Sequence, residues 1–280
     1  MIGVLILAHA GVANPEIWID WAESDPQHPI RLFALCEGRR RDTHDAVCFT
    51  YNLSITMLPT TWCGPSIAVN TIRALREAIR LDPHIKIIYL VSGHCLPVQR
   101  PEYLWRTSII LPRDHVDAGK RWYPSRSTVN ITASDKKRQW FRGVQWISVT
   151  RDVIRDVLVE DPDLYRQLQT TSDQCLDETY LHTLIWRSGV RVQDVCFTDM
   201  SHTSHKDPSP ITWNLDDERR RTLWSEDGRD VYETMTGRSA LAFAHRAGYV
   251  FCRKFHPSPT PHLHSYEALE KWFLQDMANV

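Results

Sequence analysis

Residues Lys86 to Val91 place Ile87, Ile88, Tyr89, Leu90 and Val91 in unbroken succession, and this run constrains the fold more than any other feature. Successive side chains of a strand point to opposite faces, so a continuous apolar run needs cover on both. A central strand of a helix-flanked sheet meets that demand, and Ser92, Gly93 and Pro97 mark its end. Just before it, Ala68, Ile72, Leu75 and Ile79 recur at helical spacing over Ala68 to Leu81, while Arg73, Arg76, Glu77 and Arg80 fall opposite them. That pattern predicts an amphipathic helix with a charged opposite face. Ile2 to Leu7 and Ile30 to Leu35 are two further apolar runs of strand length, with the Trp- and Ile-rich stretch Ile17 to Trp21 reading as a helix between them.

Strands alternating with helices predict an α/β fold, a mixed Rossmann-like sheet flanked by helices, with ligands at loops beyond the carboxyl ends of the strands. The Ser92 to Pro97 loop occupies such a place. Later in the chain, Thr150 is expected to cap a helix running to about Val159 with Val153, Ile154, Val157 and Leu158 on one face. A second helix fits Glu178 to Arg187 before Gly189, and Ser265 is suited to cap a closing helix with Leu269, Trp272 and Phe273 inward. The polar stretch Arg113 to Gln139 reads as a surface excursion. No repeat or low-complexity linker divides the chain, so residues 1–280 are expected to form one domain.

Composition narrows the function. Lys plus Arg (33) balance Asp plus Glu (34), so no net field favours nucleic acid, and a small neutral or locally paired substrate suits the chain better. The seven cysteines are scattered without a Cys-x-x-Cys pair, which argues against a disulfide framework or zinc knuckle and for a reducing compartment. The apolar stretch Ile2 to Ala10 is too short to span a bilayer and lacks a signal-peptide layout. A cytoplasmic location is therefore expected, as for a microbial or viral enzyme acting on a precursor made there. The pairs His202 with His205 and His262 with His264 lack the carboxylate or Cys company of a metal site. There is no Gly-x-Gly-x-x-Gly fingerprint, no P-loop and no Gly-x-Ser-x-Gly elbow.

Four islands in fixed order carry a resemblance. The first is Leu5-Ile6-Leu7-Ala8-His9 followed by Asn14-Pro15-Glu16-Ile17-Trp18. The second joins Trp62 and Ser66 to Leu90-Val91-Ser92-Gly93-His94-Cys95-Leu96-Pro97. The third is Trp140-Phe141-Arg142-Gly143-Val144-Gln145-Trp146 leading to Thr150-Arg151. The fourth joins Asp177-Glu178 to Phe251-Cys252-Arg253-Lys254-Phe255. Together they resemble the core-2/I-branching β-1,6-N-acetylglucosaminyltransferase family, including its plant branch, which shares Cys at the position of Cys95. Departures from the family pattern are Val144 for Ser, Cys252 for Ala, and Asp199-Met200-Ser201 in place of Asp-Trp-Ser.

The resemblance implies an A-type glycosyltransferase (GT-A) fold, an inverting mechanism, a UDP-sugar donor carrying N-acetylglucosamine or xylose, a carbohydrate acceptor and no metal or other cofactor. It assigns Glu178 as the base that deprotonates the acceptor hydroxyl, and Lys254 as the cation on the donor diphosphate. Arg229, Arg253 and His9 join Lys254 on the donor side, and Asp177, Gln145, Trp146, Ser92, Gly93 and Cys95 form the substrate-site wall. Basic side chains can replace a metal because fixed cations stabilise a developing anion without reorganisation. The acidic run Asp216-Asp217-Glu218 precedes Arg219, Arg220 and Arg221 and reads as the start of an exposed helix; the chain is read as lacking an Asp-x-Asp metal motif.

Several of these residues also have a plainer reading. Asp177 would cap a helix and Glu178 would complement its dipole; Arg253 and Lys254 would be solvated strand-end charges; Trp140, Trp146 and Trp213 would pack in the core and not stack on sugar. A catalytically silent sugar-nucleotide or glycan-binding module, suggested by Met200 and Val144, is the alternative to an active transferase.

Overall fold

The structure is a computed structural model and describes residues 1–8, 12, 14–36, 53, 55–61, 63–93, 95–106, 123–124, 141–142, 145, 147–170, 176–188, 195–197, 212–214, 241, 245–246, 250–253 and 265–277. In chain order the first half gives β1 (Ile2–Ala8), α1 (Pro15–Glu23), β2 (Ile30–Cys36), α2 (Pro65–Leu81), β3 (Ile87–Ser92) and β4 (Cys95–Pro97). The second half gives β5 (Tyr123–Pro124), β6 (Phe141–Arg142), β7 (Ile147–Thr150), α3 (Arg151–Asp156), α4 (Pro162–Gln169) and α5 (Leu176–Arg187). Then follow β8 (Val195–Phe197), β9 (Thr212–Asn214), β10 (Phe251–Arg253) and α6 (Tyr266–Met277).

The main sheet has the order β2-β1-β3-β7-β8. β1 runs parallel to β2 and β3, whereas β7 is antiparallel to β3 and to β8. The expected mixed sheet is thus present, and β3, with Ile88 to Val91 fully buried, lies at its centre. Alternation divides the core in two. Leu5, Phe33, Leu35, Ile88 and Leu90 face one layer with α2, α3, α4 and α5, while Val4, Ile6, Leu32, Tyr89 and Val91 face the other with α1, α6, β4 and β10. Because α1 and α2 lie on opposite faces, the strand order reverses direction between β1 and β3, which leaves a crevice at their carboxyl ends.

On the second face Trp18 and Trp21, both fully buried, meet Phe251 with ring centroids 5.5 and 5.8 Å away. Trp21 Nε1 also donates to the Gln99 carbonyl at 2.7 Å. The closing helix α6 is tied down by Arg100, which makes a bidentate contact of 2.9 and 2.7 Å with Glu270. Asp20 accepts the Tyr266 N–H at 2.7 Å, joining α6 to α1. Ser265 Oγ accepts the Ala268 N–H at 3.1 Å, and Leu269 and Phe273 point inward as expected while Trp272 stays half-exposed.

Two local expectations are revised. Gly93 turns the chain directly into β4, so the segment after β3 is a strand of a second sheet, β4-β10-β9, and not only a loop. The helix capped by Thr150, whose Oγ1 accepts the Val153 N–H at 3.4 Å, stops at Asp156 instead of Val159. Beyond it Asp161-Pro162 opens α4: Pro162 cannot continue a preceding helix, and Asp161 Oδ1 caps the new one through the N–H groups of Asp163 and Leu164 at 3.0 and 2.9 Å. The charged side of α2 makes specific ties. Arg73 grips Glu160 at 2.6 and 2.8 Å and the Thr56 carbonyl at 2.6 Å, and Arg76 Nη1 donates to the carbonyls of Ile154, Arg155 and Leu158. These arginines line a depression of about 580 Å³, where their contacts tie α2 to α3 and to residues 55–61.

Asn70 makes a further tie from the buried side of α2. Its Oδ1 accepts the Leu58 N–H at 2.8 Å and its Nδ2 donates to the Leu58 carbonyl at 2.9 Å, with the side chain 1% exposed. Replacing Asn70 by Ala strips Leu58 of both partners and should lower stability by about 1 to 3 kcal/mol, read as a fall in the urea midpoint at constant m-value.

Candidate functional site

The carboxyl edge of the sheet gathers the described residues of the expected site. There the Gly93 N–H donates to the Leu7 carbonyl at 2.7 Å, extending the β1–β3 pairing one step past Ser92. Ser92 and Gly93 are buried, and Cys95 is fully buried within the apolar cluster of the second face. The Cys95 thiol therefore packs in the core, and its place in the expected wall is one of support. β4 then runs antiparallel to β10 with Cys95 opposite Arg253. The end of β10, where Lys254 follows in sequence, is thereby brought to the same edge.

Helix α2 delivers the acidic side of the site. Its carboxyl end lies at the amino edge of the sheet, where Arg31 at the start of β2 reaches Asp82 at 3.2 Å and the Met1 amino group donates to the His84 carbonyl at 3.2 Å. A 17-residue helix spans roughly 25 Å at 1.5 Å per residue, so its amino end stands at the carboxyl edge. It starts with a sharp corner: Cys63 adopts φ 58°, Gly64 is the N-cap and Pro65 takes the first turn. The Cys63 carbonyl accepts the Leu176 N–H at 2.7 Å, which docks the amino end of α5 beside that of α2.

Asp177 and Glu178 occupy the first turn of α5. The plainer reading of Asp177 is corrected, because α5 already begins at Leu176 and Asp177 lies within the helix, two residues past the cap position. Asp177 is buried at 8% exposure and Glu178 is half-buried. Two helix amino ends here present partial positive charge and N–H groups, the environment in which a carboxylate is most at home. α5 also packs against β6, so the island containing Phe141 and Arg142 adjoins the acidic helix, with Gln145 half-buried beyond it.

The far side of α5 is held by Asp161. The Tyr180 hydroxyl accepts the Asp161 N–H at 2.7 Å and donates to the Asp161 carbonyl at 3.1 Å, and Asp161 Oδ2 lies 3.5 Å from Arg187. Asp161-Pro162-Asp163 has Asp-x-Asp spacing, so the expectation that the chain lacks such a triplet is corrected. The structure gives it a helix-capping job: Asp161 Oδ1 is occupied by backbone N–H groups, and Asp163 is exposed and paired with Arg166. An Asp directly before Pro and an acidic first turn is an N-cap signal readable from sequence. Cys63-Gly64-Pro65 is a second such signal.

Of the remaining expected residues, His9, Trp146, Arg229 and Lys254 lie outside the described residues, as do Trp140, Val144, Met200 and the polar stretch 113–139 apart from Tyr123–Pro124. Arg253 and Trp213 are described only by their strand register, in which Cys252 pairs with Trp213 and Arg253 with Asn214.

The fold is a mixed α/β sheet flanked by helices, with the candidate site at the carboxyl ends of its strands. The family model of the Core-2/I-Branching enzyme matches residues 34–238. The chain belongs to that family and is a glycosyltransferase, one that works on a sugar donor and an acceptor. No curated protein matches the chain. No helix among the described residues is long and apolar enough to cross a membrane.

Two expected outcomes test the site's scaffold. A Cβ added to Gly64 would meet Thr61 Oγ1 at 2.3 Å and the Thr61 carbonyl at 3.0 Å, so Gly64→Ala should cost about 1 to 3 kcal/mol by overpacking, seen as a lower melting temperature. Burial pushes the Tyr180 hydroxyl up to about 12, and burial also raises Tyr103 and, with Glu270 beside it, Tyr266. Above the ordinary tyrosine value of 10.0 the unfolded chain loses protons that the folded chain keeps. Stability should thus be intact below pH 10 and fall as pH rises through 12, measurable as a declining urea midpoint between pH 9 and 11.5.

Proposed function

We propose that the protein is an inverting, metal-independent transferase of the GT-A fold, moving N-acetylglucosamine, with xylose as the second candidate, from a UDP-sugar to a glycan hydroxyl. The observation that carries this reading is the placement of Glu178, half-buried in the first turn of α5 and docked at the carboxyl edge of the sheet beside the amino end of α2. In this reading Glu178 takes the proton of the acceptor hydroxyl as its oxygen bonds to the anomeric carbon. The bond from that carbon to the diphosphate breaks on the opposite side, and UDP leaves with the electron pair. Neutralising that charge falls to Lys254 with Arg253 and Arg229, and His9 lies on the same donor side.

Metal independence rests on this basic set and on the capping role of the one Asp-x-Asp triplet near α5. One catalytic domain over residues 1–280 is supported by the core itself. β1, α1, β10 and α6 lie outside the family match, yet they pack in the same two-faced core as β2 and β3.

The test is UDP release from UDP-N-acetylglucosamine and UDP-xylose, against a panel of glycan acceptors, with EDTA present. Turnover should persist in EDTA, and Glu178→Gln should lower kcat by about 10² to 10⁴-fold while donor affinity is kept. Wild-type turnover in Glu178→Gln would remove Glu178 as the base, and a strict need for a divalent ion would remove the cation-only account.

A further inference from the structure

We propose that Tyr180 is a positioning residue for the transfer reaction, fixing Glu178 by locking helix α5 onto the corner between α3 and α4. The proposal rests on the reading of Glu178 as the base. Tyr180 follows Glu178 by two residues and is fully buried, whereas Glu178 is half-buried. At 3.6 residues per turn two residues are about 200° apart, so the side of α5 gripped through Tyr180 is roughly opposite the side that presents Glu178.

The grip is reciprocal. One hydroxyl accepts the Asp161 N–H at 2.7 Å and donates to the Asp161 carbonyl at 3.1 Å, and the ring packs edge-on against Tyr165 at 6.5 Å. Asp161 is itself immobilised by capping α4, and its other carboxylate oxygen reaches Arg187 in the last turn of α5 at 3.5 Å. One residue outside α5 therefore holds that helix near both ends, and the Leu176 bond to Cys63 holds its first residue. Burial keeps the Tyr180 hydroxyl protonated up to about pH 12, so its donated bond persists wherever a carboxylate base works.

A base acts only within hydrogen-bond reach of the proton it takes, and a misplacement of about 1 Å can cost on the order of 10²-fold in rate. Tyr180 touches neither the reacting atoms nor the donor in this account. Its loss should let α5 rotate or slide and move the carboxylate while leaving the donor side of the edge in place. The expected signature is a fall in kcat at constant KM for the donor.

The experiment is a double-mutant cycle on UDP release from UDP-N-acetylglucosamine, with folding checked by circular dichroism. Tyr180→Phe keeps the ring and should lower kcat about tenfold, with donor KM within about twofold. In the Glu178→Gln background the same change should produce no further loss, because the group it positions is gone. Arg187→Gln, which releases the second hold on Asp161, should lower kcat less and should likewise be silent in that background; it serves if Tyr180→Phe does not fold. Unchanged kcat in both single variants overturns the proposal. So does a rise in KM alone, or an equal loss with and without Glu178. Turnover of Glu178→Gln by itself reports on the base reading, so failure of that reading is seen separately from failure of the coupling.

Discussion

The pairing of β1 with β3 sets the geometry of everything else. β1 lies between two parallel neighbours, so its side chains from Ile2 to Ile6 are enclosed by a helical or second-sheet layer, and Val4, Leu5 and Ile6 are fully buried. Enclosing each such side chain stabilises by about 1.5 to 3 kcal/mol, which fixes the register strongly, since a one-residue slip would exchange the two faces. The same pairing sends α1 and α2 to opposite faces and so creates the gap between the strand ends. The Gly93 bond to Leu7 carries the pairing to its last step, and from that point the chain turns into β4. Gly3, farther back on β1, shows how tight the first face is: a Cβ there would stand 3.1 Å from Ile88 Cγ1.

Charge is arranged on that frame by helix ends. The amino ends of α2 and α5 meet through the Leu176–Cys63 bond, and Asp177 and Glu178 occupy the resulting positive field. Each favourable helix-end charge contributes about 0.3 to 1 kcal/mol, far less than the packing of Leu176, Leu181 and Leu184 against α2 and the sheet. Packing therefore decides where α5 lies, and the dipoles decide which charge is comfortable there. A carboxylate at such a place is preorganised at little cost in stability, which suits a group proposed to take a proton.

Much of the frame was legible from local pattern because the forces behind it are local or periodic. The Ile87 to Val91 run, the Ala68 helix, and the caps at Thr150 and Ser265 all appear where sequence spacing puts them. The errors arise where distant residues intervene. β4 exists only because Phe251 to Arg253 pair with it from more than a hundred and fifty residues away, and no feature of Cys95-Leu96-Pro97 announces that partner. Arg73 and Arg76 are placed by sequence on the charged face of α2, but their partners, Glu160 and the end of α3, are set by the tertiary fold. At the candidate site, a first-turn Glu is the same pattern whether it complements a dipole or takes a proton. The proposal that Glu178 is more than an ordinary helix start rests on the docking of α5 beside α2 together with family membership over residues 34–238.

The two sides of the proposed site hang on different cores. The base side belongs to the face formed by α2 and α5 with Leu5, Ile88 and Leu90, whereas β10 belongs to the face of Trp18, Trp21, Tyr89 and Val91. The main sheet lies between these two faces, so the separation of α5 from β10 is set largely by sheet thickness and not by loop conformation. A sheet buried on both faces is close-packed and yields little. The frame at this edge is therefore held by tightly packed residues with no chemistry of their own. Phe251 wedged against the two Trp rings holds β10 at its height, and Cys63 and Gly64 hold the start of α5 at the same edge.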